Sequence, residues 1–242
     1  MKGIRSIVTA LLVCAVGAGC AGQDWRQVSS DLLSGTGQTD TQTIAAGLKE
    51  ALRVGSQRAV QKASQKGGYL DNPELRIPLP SKVEKMANAL RKVGMGGQFD
   101  KLERKMNRAA EEAAADAAPV FIDAISEMGI ADARQILGGD MTAATDYLRE
   151  KTSDELRNRY KPIVQEKLQS VGVVDLYNSL HDRYSKLPLA PSVQFTPEDY
   201  ATDRALDGLF KLLAQEEKRI RQNPAARTTE LLKQVFGGSE GG

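Results

Sequence analysis

The 242-residue chain is 41% hydrophobic and 26% charged, the balance of a folded globular protein, which excludes disorder for most of its length. Lys2 and Arg5 account for the whole excess of 33 basic over 31 acidic residues, so the chain beyond residue 19 is neutral. It has no overall attraction for the phosphates of nucleic acid. Cys14 and Cys20 are the only cysteines and His181 the only histidine, which excludes an internal disulfide once residues 1–19 are removed and leaves too few ligands for a structural zinc site.

Lys2 and Arg5, then the uncharged and mostly apolar run Ile7 to Val16, then Gly17-Ala18-Gly19, follow the order of an export signal. The run is too short to span a bilayer. Val16-Gly17-Ala18-Gly19-Cys20 resembles a lipobox, with Gly17 where Leu is usual. That resemblance implies removal of residues 1–19, acylation of Cys20 and a membrane partner held through the lipid. Similarity to Gram-negative lipoproteins, in which Asp after the cysteine retains the protein at the inner membrane, makes Ala21 point to the periplasmic face of the outer membrane. Ordinary cleavage after Ala18 is the alternative and gives a soluble periplasmic protein. Residues 20–40 are then a tether. Asp24 to Leu33 suits a short helix with Trp25, Val28 and Leu32 on one face, lying on the membrane or docked on the body, and Ser34 to Thr39 suits a flexible spacer.

From Thr41 the apolar period is helical, with Ile44, Leu48, Ala51, Leu52, Ala59 and Val60 on one face and Gly67-Gly68 at the end. Asp71 to Pro80 carries three prolines, which predicts an extended connection at Arg76-Ile77-Pro78-Leu79-Pro80. Ser81-Lys82-Val83-Glu84 has the pattern of a capping box, and Val83, Met86, Ala87, Leu90 and Val93 form the next buried stripe before Gly94. Phe99, Leu102, Met106, Ala109, Ala113 and Ala117 mark a further helix, which Pro119 should kink or divide. Helical blocks follow at Ala131–Leu137, Met141–Glu150, Ser153–Val171, with Pro162 inside, and Val174–Lys186. Leu187 to Phe195 is a proline-containing loop. Thr196-Pro197-Glu198-Asp199 combines an N-cap, a first-turn proline and acids at the positive end of a helix that should stop near Asn223-Pro224. A last short helix carries Leu231, Leu232, Val235 and Phe236, and 238–242 form a glycine-rich tail. The expectation is an all-α, compact multi-helix bundle of roughly eight to ten helices over residues 41–237, with proline-rich extended connections.

Several stretches carry a resemblance in the right order: Gly47-Leu48-Lys49-Glu50-Ala51-Leu52, Arg76-Ile77-Pro78-Leu79-Pro80, Met106-Asn107-Arg108-Ala109-Ala110-Glu111, Lys151-Thr152-Ser153-Asp154, Ala205-Leu206-Asp207-Gly208-Leu209-Phe210 and Asn223-Pro224-Ala225-Ala226-Arg227-Thr228-Thr229. Over Ile44 to Gly237 the chain resembles the bacterial domain of unknown function family 4197. The resemblance implies an exported, helical, often lipoprotein-like protein and carries no activity with it.

His181 stands in a helical stripe without a nucleophile motif nearby, so no catalytic residue is assigned. No cofactor or metal is implied. Two polar groupings remain. Asn107, Arg108, Glu111 and Glu112 share one helix and, with Arg227, are candidates for a polar pocket; their other reading is as caps, solvated faces and ion pairs. Asp199, Asp203 and Asp207 form a row of carboxylates spaced by four, which repel one another and call for a partner such as Arg204, Arg227 or a hard cation. Tyr147, Tyr160, Tyr177, Tyr184 and Phe210 sit at core spacings. Together these features suit a lipid-anchored periplasmic module that binds a protein or small molecule without turnover, with a carboxylate-based, metal-dependent hydrolase as the alternative. Replacing Cys20 by Ala is expected to release the exported protein from membranes washed in high salt while the parent stays bound; equal release of both would remove the anchor.

Overall fold

Helix follows wherever the three- and four-residue apolar spacing runs unbroken, and prolines and glycines set its limits. The computed structural model describes residues 40–237 except Asp132, so the expected signal, tether helix and tail lie outside the described residues. Among those described there are nine α-helices and no strand. They are α1 (Thr41–Ala63), α2 (Ser81–Arg91), α3 (Gly96–Ala115), α4 (Ala117–Glu127), α5 (Ala133–Leu137), α6 (Ala143–Ser170), α7 (Val173–Ser185), α8 (Pro197–Gln222) and α9 (Glu230–Gly237). A single 3-10 turn, Pro224–Ala226, separates the last two.

Local chemistry sets several of these limits. Asp40 caps α1, its carboxylate accepting from the Thr43 N–H at 2.8 Å. Pro119 falls in the first turn of α4, and the break before it comes at Asp116. Other expectations need correction. The Ser81–Glu84 box does not form: Pro80 stands at the N-cap position, its carbonyl accepts from Val83 and Glu84, and Glu84 faces Arg91. Helix α2 ends at Arg91, so Val93 leaves the stripe and is 60% exposed. Thr196 precedes Pro197 without a side-chain cap. The blocks at Met141–Glu150 and Ser153–Val171 are one helix, α6, in which Thr152 and Ser153 donate back to the carbonyls of Leu148 and Arg149.

The core centres on α8, which packs most closely on α1 and α6. Close approach is built into the sequence. A methyl group at Gly55 of α1 would lie 2.7 Å from Leu213 Cδ1, and one at Gly208 would lie 2.7 Å from the buried Tyr69 ring. Tyr69 is fixed there by its hydroxyl, which donates to the Ala205 carbonyl at 2.7 Å. Of the expected core aromatics, Tyr160, Tyr177, Tyr184 and Phe210 are buried, while Tyr147 is only partly so and donates to the Gly129 carbonyl. Two buried hydroxyls, on Ser56 and Tyr160, meet no partner among the described residues, and burial pushes the Tyr160 hydroxyl well above its ordinary pKa.

Within this apolar packing lie charges that fasten helix ends. Glu217 is fully buried on α8 and accepts from the Ala144 N–H (3.0 Å), the Thr145 N–H (2.7 Å) and the Thr145 hydroxyl (2.6 Å), the first-turn donors of α6. Arg221, one turn on, pairs with Glu217 at 2.9 Å and donates to the carbonyls of Leu137 and Ile136 at the end of α5. Arg227 in turn donates to the carbonyls of Ile220 and Arg221 as α8 ends. Removing Glu217 strands the first-turn amides of α6 and leaves the buried Arg221 without its carboxylate. Glu217→Ala is therefore expected to cost about 3 kcal/mol or more in urea unfolding, and a variant that unfolds at the parent midpoint would contradict the arrangement.

Candidate functional site

The first sequence candidate turns out to be a latch. Asn107 and Glu111 lie on the buried face of α3 and meet the connection between α1 and α2. Asn107 accepts from the Ile77 N–H (2.8 Å) and donates to the carbonyls of Ile77 (2.8 Å) and Glu103 (2.9 Å), using both ends of its amide on backbone. Glu111 accepts from the N–H groups of Tyr69 and Leu70 at 3.3 and 3.2 Å. Arg108 bridges Glu111 and the more exposed Glu112 from the surface. The segment pairs several of its own amides in turns up to Arg76, while those of Tyr69, Leu70 and Ile77 find their partners on α3. Arg227 is bonded instead to the backbone at the end of α8, so the structure joins four of the five candidates and leaves Arg227 with another task.

The second candidate, the row Asp199, Asp203 and Asp207, faces a row of bases on α6, which runs antiparallel to α8. Asp199 pairs with Lys161 and Arg157, both at 2.8 Å. Asp203 pairs with Arg157 at 2.6 Å, and Asp207 meets Arg149 at 3.3 Å. The partner of the row is thus neither Arg204, which stacks over the Tyr200 ring at 5.4 Å, nor Arg227. Among the described residues no three acidic, histidine or cysteine side chains converge closely enough to hold a metal ion. The Lys161 and Arg157 hydrogen bonds hold the Asp199 carboxyl below the ordinary carboxylate pKa, and hydrogen bonds to Asp203 and Asp199 push the Arg157 guanidinium further up.

The α6 row, at spacing four, reads Arg149, Ser153, Arg157, Lys161, and one tooth of the zipper is short. Ser153 turns its hydroxyl back to the Arg149 carbonyl and leaves the space opposite Asp203 and Asp207 unfilled. A cleft of about 230 Å³ results, with Leu206 and Phe210 at its base and Asp154 at its rim. Arg149 lies flat over Phe210, its guanidinium carbon 4.6 Å from the ring centre, while Phe210 itself packs edge-on against Phe121 in the core. Arg149 and Asp207 are each close to half exposed, so their single long contact is the weakest link of the row. The site therefore offers two guanidinium groups on one wall, two carboxylates on the other and an apolar base.

Sequence reasoning missed Glu216, Glu217 and Arg221, which are structural. Glu216 is buried beside Lys62 (2.6 Å) and Arg58 (3.5 Å) of α1. The available signal was positional: after Leu209 and Leu213, the apolar stripe of α8 returns to 216 and 217 before Ile220, and acids occupy those places. His181 lies on α7 with its ring 6.0 Å from that of Tyr177, in a ring contact and not in a catalytic pairing.

The class these features define is an all-α domain whose buried charges serve helix ends and whose open polar surface is a zippered cleft. The chain belongs to the family described as Protein of unknown function (DUF4197), whose model matches residues 38–237. No curated protein and no solved structure matches it.

Because the Asp199 carboxyl is held below 3.8, its pairing contributes stability that is present above about pH 4 and is lost as pH falls through the lowered value. Exposure limits that contribution to less than about 1 kcal/mol. Asp199→Asn is expected to lower the urea midpoint at pH 7 in low salt, and the gap to the parent is expected to shrink as the pH falls below about 4. A gap of the same size on both sides of that pH would refute the pairing.

Proposed function

We propose that this protein is a lipid-anchored envelope component that works by binding, and that the cleft between α6 and α8 holds a small amphoteric ligand, one carrying both an anionic and a cationic group. The observation that carries this reading is the short tooth at Ser153, which exposes Arg149 and Asp207 to solvent beside an apolar base. A ligand carboxylate or phosphate placed there competes with one half-exposed aspartate for Arg149, and its ammonium group takes up the Asp207 carboxylate that is released. Opposite charges on opposite walls favour such a ligand over a simple anion, which the carboxylate wall repels. Leu206 and Phe210 offer apolar area to the remainder of the molecule.

The arrangement favours binding over hydrolysis because the two carboxylates on the α8 wall, Asp203 and Asp207, are matched to Arg157 and Arg149. The N-terminal lipid at Cys20 and the periplasmic face of the outer membrane complete the proposal, and they rest on the export signal and the resemblance to a lipobox.

The experiment is a titration followed by NMR shifts of the cleft, using free hydrophobic amino acids and the same compounds N-acetylated or C-amidated. The free compounds are expected to bind, and each blocked form to bind about tenfold more weakly. Ser153→Arg fills the cleft and is expected to abolish the shifts without lowering the thermal midpoint. Equal responses in the parent and Ser153→Arg, or no response in the parent, would overturn the assignment.

A further inference from the structure

The loop between α7 and α8 holds a conflict between sequence and backbone. The Ala190 N–H donates to the Leu187 carbonyl at 3.3 Å across Pro188 and Leu189, and Leu189 has a φ of +60°. Proline followed by a left-handed residue is the arrangement of a type II turn, whose third position ordinarily carries Gly or Asn. A leucine there is opposed by the crowding of its Cβ. It is also 100% exposed, so solvent opposes it as well. Its neighbours behave otherwise: Leu187 and Ala190 pack against the core and Val193 is buried, leaving Leu189 alone to point outward. A strained backbone that presents an apolar side chain to water is a feature that folding by itself does not favour.

The surroundings of the turn are basic. Lys82 and Lys85, both exposed on the first turns of α2, line one side of a groove of about 400 Å³ whose other side is Pro191 to Gln194, with Tyr184 within it. Exposed Lys186 immediately precedes the turn. Of the acids on α2, Glu84 is already paired with Arg91.

We propose that this turn is a membrane-contact point, with Leu189 entering the interface of an anionic bilayer and Lys82, Lys85 and Lys186 binding its headgroups. The shape decides the occupant. A single apolar side chain on a convex tip, stiffened by Pro188 and Pro191, suits a yielding and laterally uniform surface, whereas a protein partner must bring a pocket already shaped to receive it. Little ordering is needed on contact, because both prolines and the Leu187–Ala190 hydrogen bond already fix the tip. This inference is independent of the cleft, and of whether Cys20 is acylated.

The test is co-sedimentation of the exported full chain carrying Cys20→Ala, so that no acyl chain contributes, with vesicles of phosphatidylcholine alone or with phosphatidylglycerol added. Vesicles containing phosphatidylglycerol are expected to bind the protein and pure phosphatidylcholine to bind it poorly. Leu189→Asn suits the left-handed turn; it is expected to leave the thermal midpoint unchanged or higher while lowering partition about tenfold. Lys82→Gln and Lys85→Gln are expected to weaken binding to the anionic vesicles by about fivefold each. Equal partition of the parent and Leu189→Asn, or equal binding to neutral and anionic vesicles, would overturn the proposal and leave the turn as a contact for a protein pocket. A lowered midpoint in Leu189→Asn would overturn the premise that the turn is strained.

Discussion

Glu217 and Arg221 occupy adjacent turns of one helix, yet their hydrogen bonds are made to two others. The carboxylate takes the first-turn amides of α6 and the guanidinium takes the last carbonyls of α5, while Arg221 also lies 5.6 Å from the ring centre of Phe236 on α9. Burial makes this compulsory, since a helix terminus enclosed in apolar packing has no water to turn to, and neither does an isolated charge. Each problem answers the other. The positive end of α6 stabilises the Glu217 charge, and the exposed carbonyls of α5 stabilise Arg221. Position 217 thus sets the register of α6 on α8, and every contact farther along that interface inherits it.

The same logic recurs at the other non-helical joints. The connection from Gly68 to Pro80 closes turns on some of its own amides, and Asn107 and Glu111 of α3 take up those of Ile77, Tyr69 and Leu70. Residues that looked in the sequence like members of a pocket are therefore spent on backbone. A polar side chain already bonded on every side in a closed space holds a shape, and it offers little to a ligand. Function has to be sought where pairing is incomplete and water can reach it.

Most of the fold was legible because helix periodicity is local. The break just before Pro119, the stop at Asn223 and the extended stretch from Arg76 to Pro80 follow from chain chemistry alone. The errors arose where a tertiary partner decided the outcome. Lys151-Thr152-Ser153-Asp154 looks like a break because its residues are polar, but Thr152 and Ser153 bond to carbonyls one turn back and α6 continues through them. Ser81 was read as a cap, and the preceding Pro80 carbonyl performs that task. In the site, the acidic row was visible as an i, i+4 pattern, and the basic row on α6 obeyed the same spacing. What one strand of text cannot give is that the two rows lie opposite each other, because register across 50 residues of chain depends on Glu217 and on close contacts such as that of Gly208 with Tyr69.

That register explains why the cleft lies where it does. At one end of the α6–α8 interface, Asp199 is held by two bases, and at the other Glu217 is fixed on the amides of Ala144 and Thr145. Pairing weakens between them, from the 2.6 Å contact of Asp203 with Arg157 to the 3.3 Å contact of Asp207 with Arg149. A helix pair clamped at both ends cannot close a central gap by sliding, since movement toward Ser153 would break one clamp or the other. The gap left by one short side chain therefore persists as a cleft of fixed shape. Its Arg149–Asp207 pair is weak enough to exchange partners, and its walls are stiff enough not to collapse. Preorganisation of this kind lowers the cost of binding, and here it follows from buried capping charges whose first task is to fold the protein.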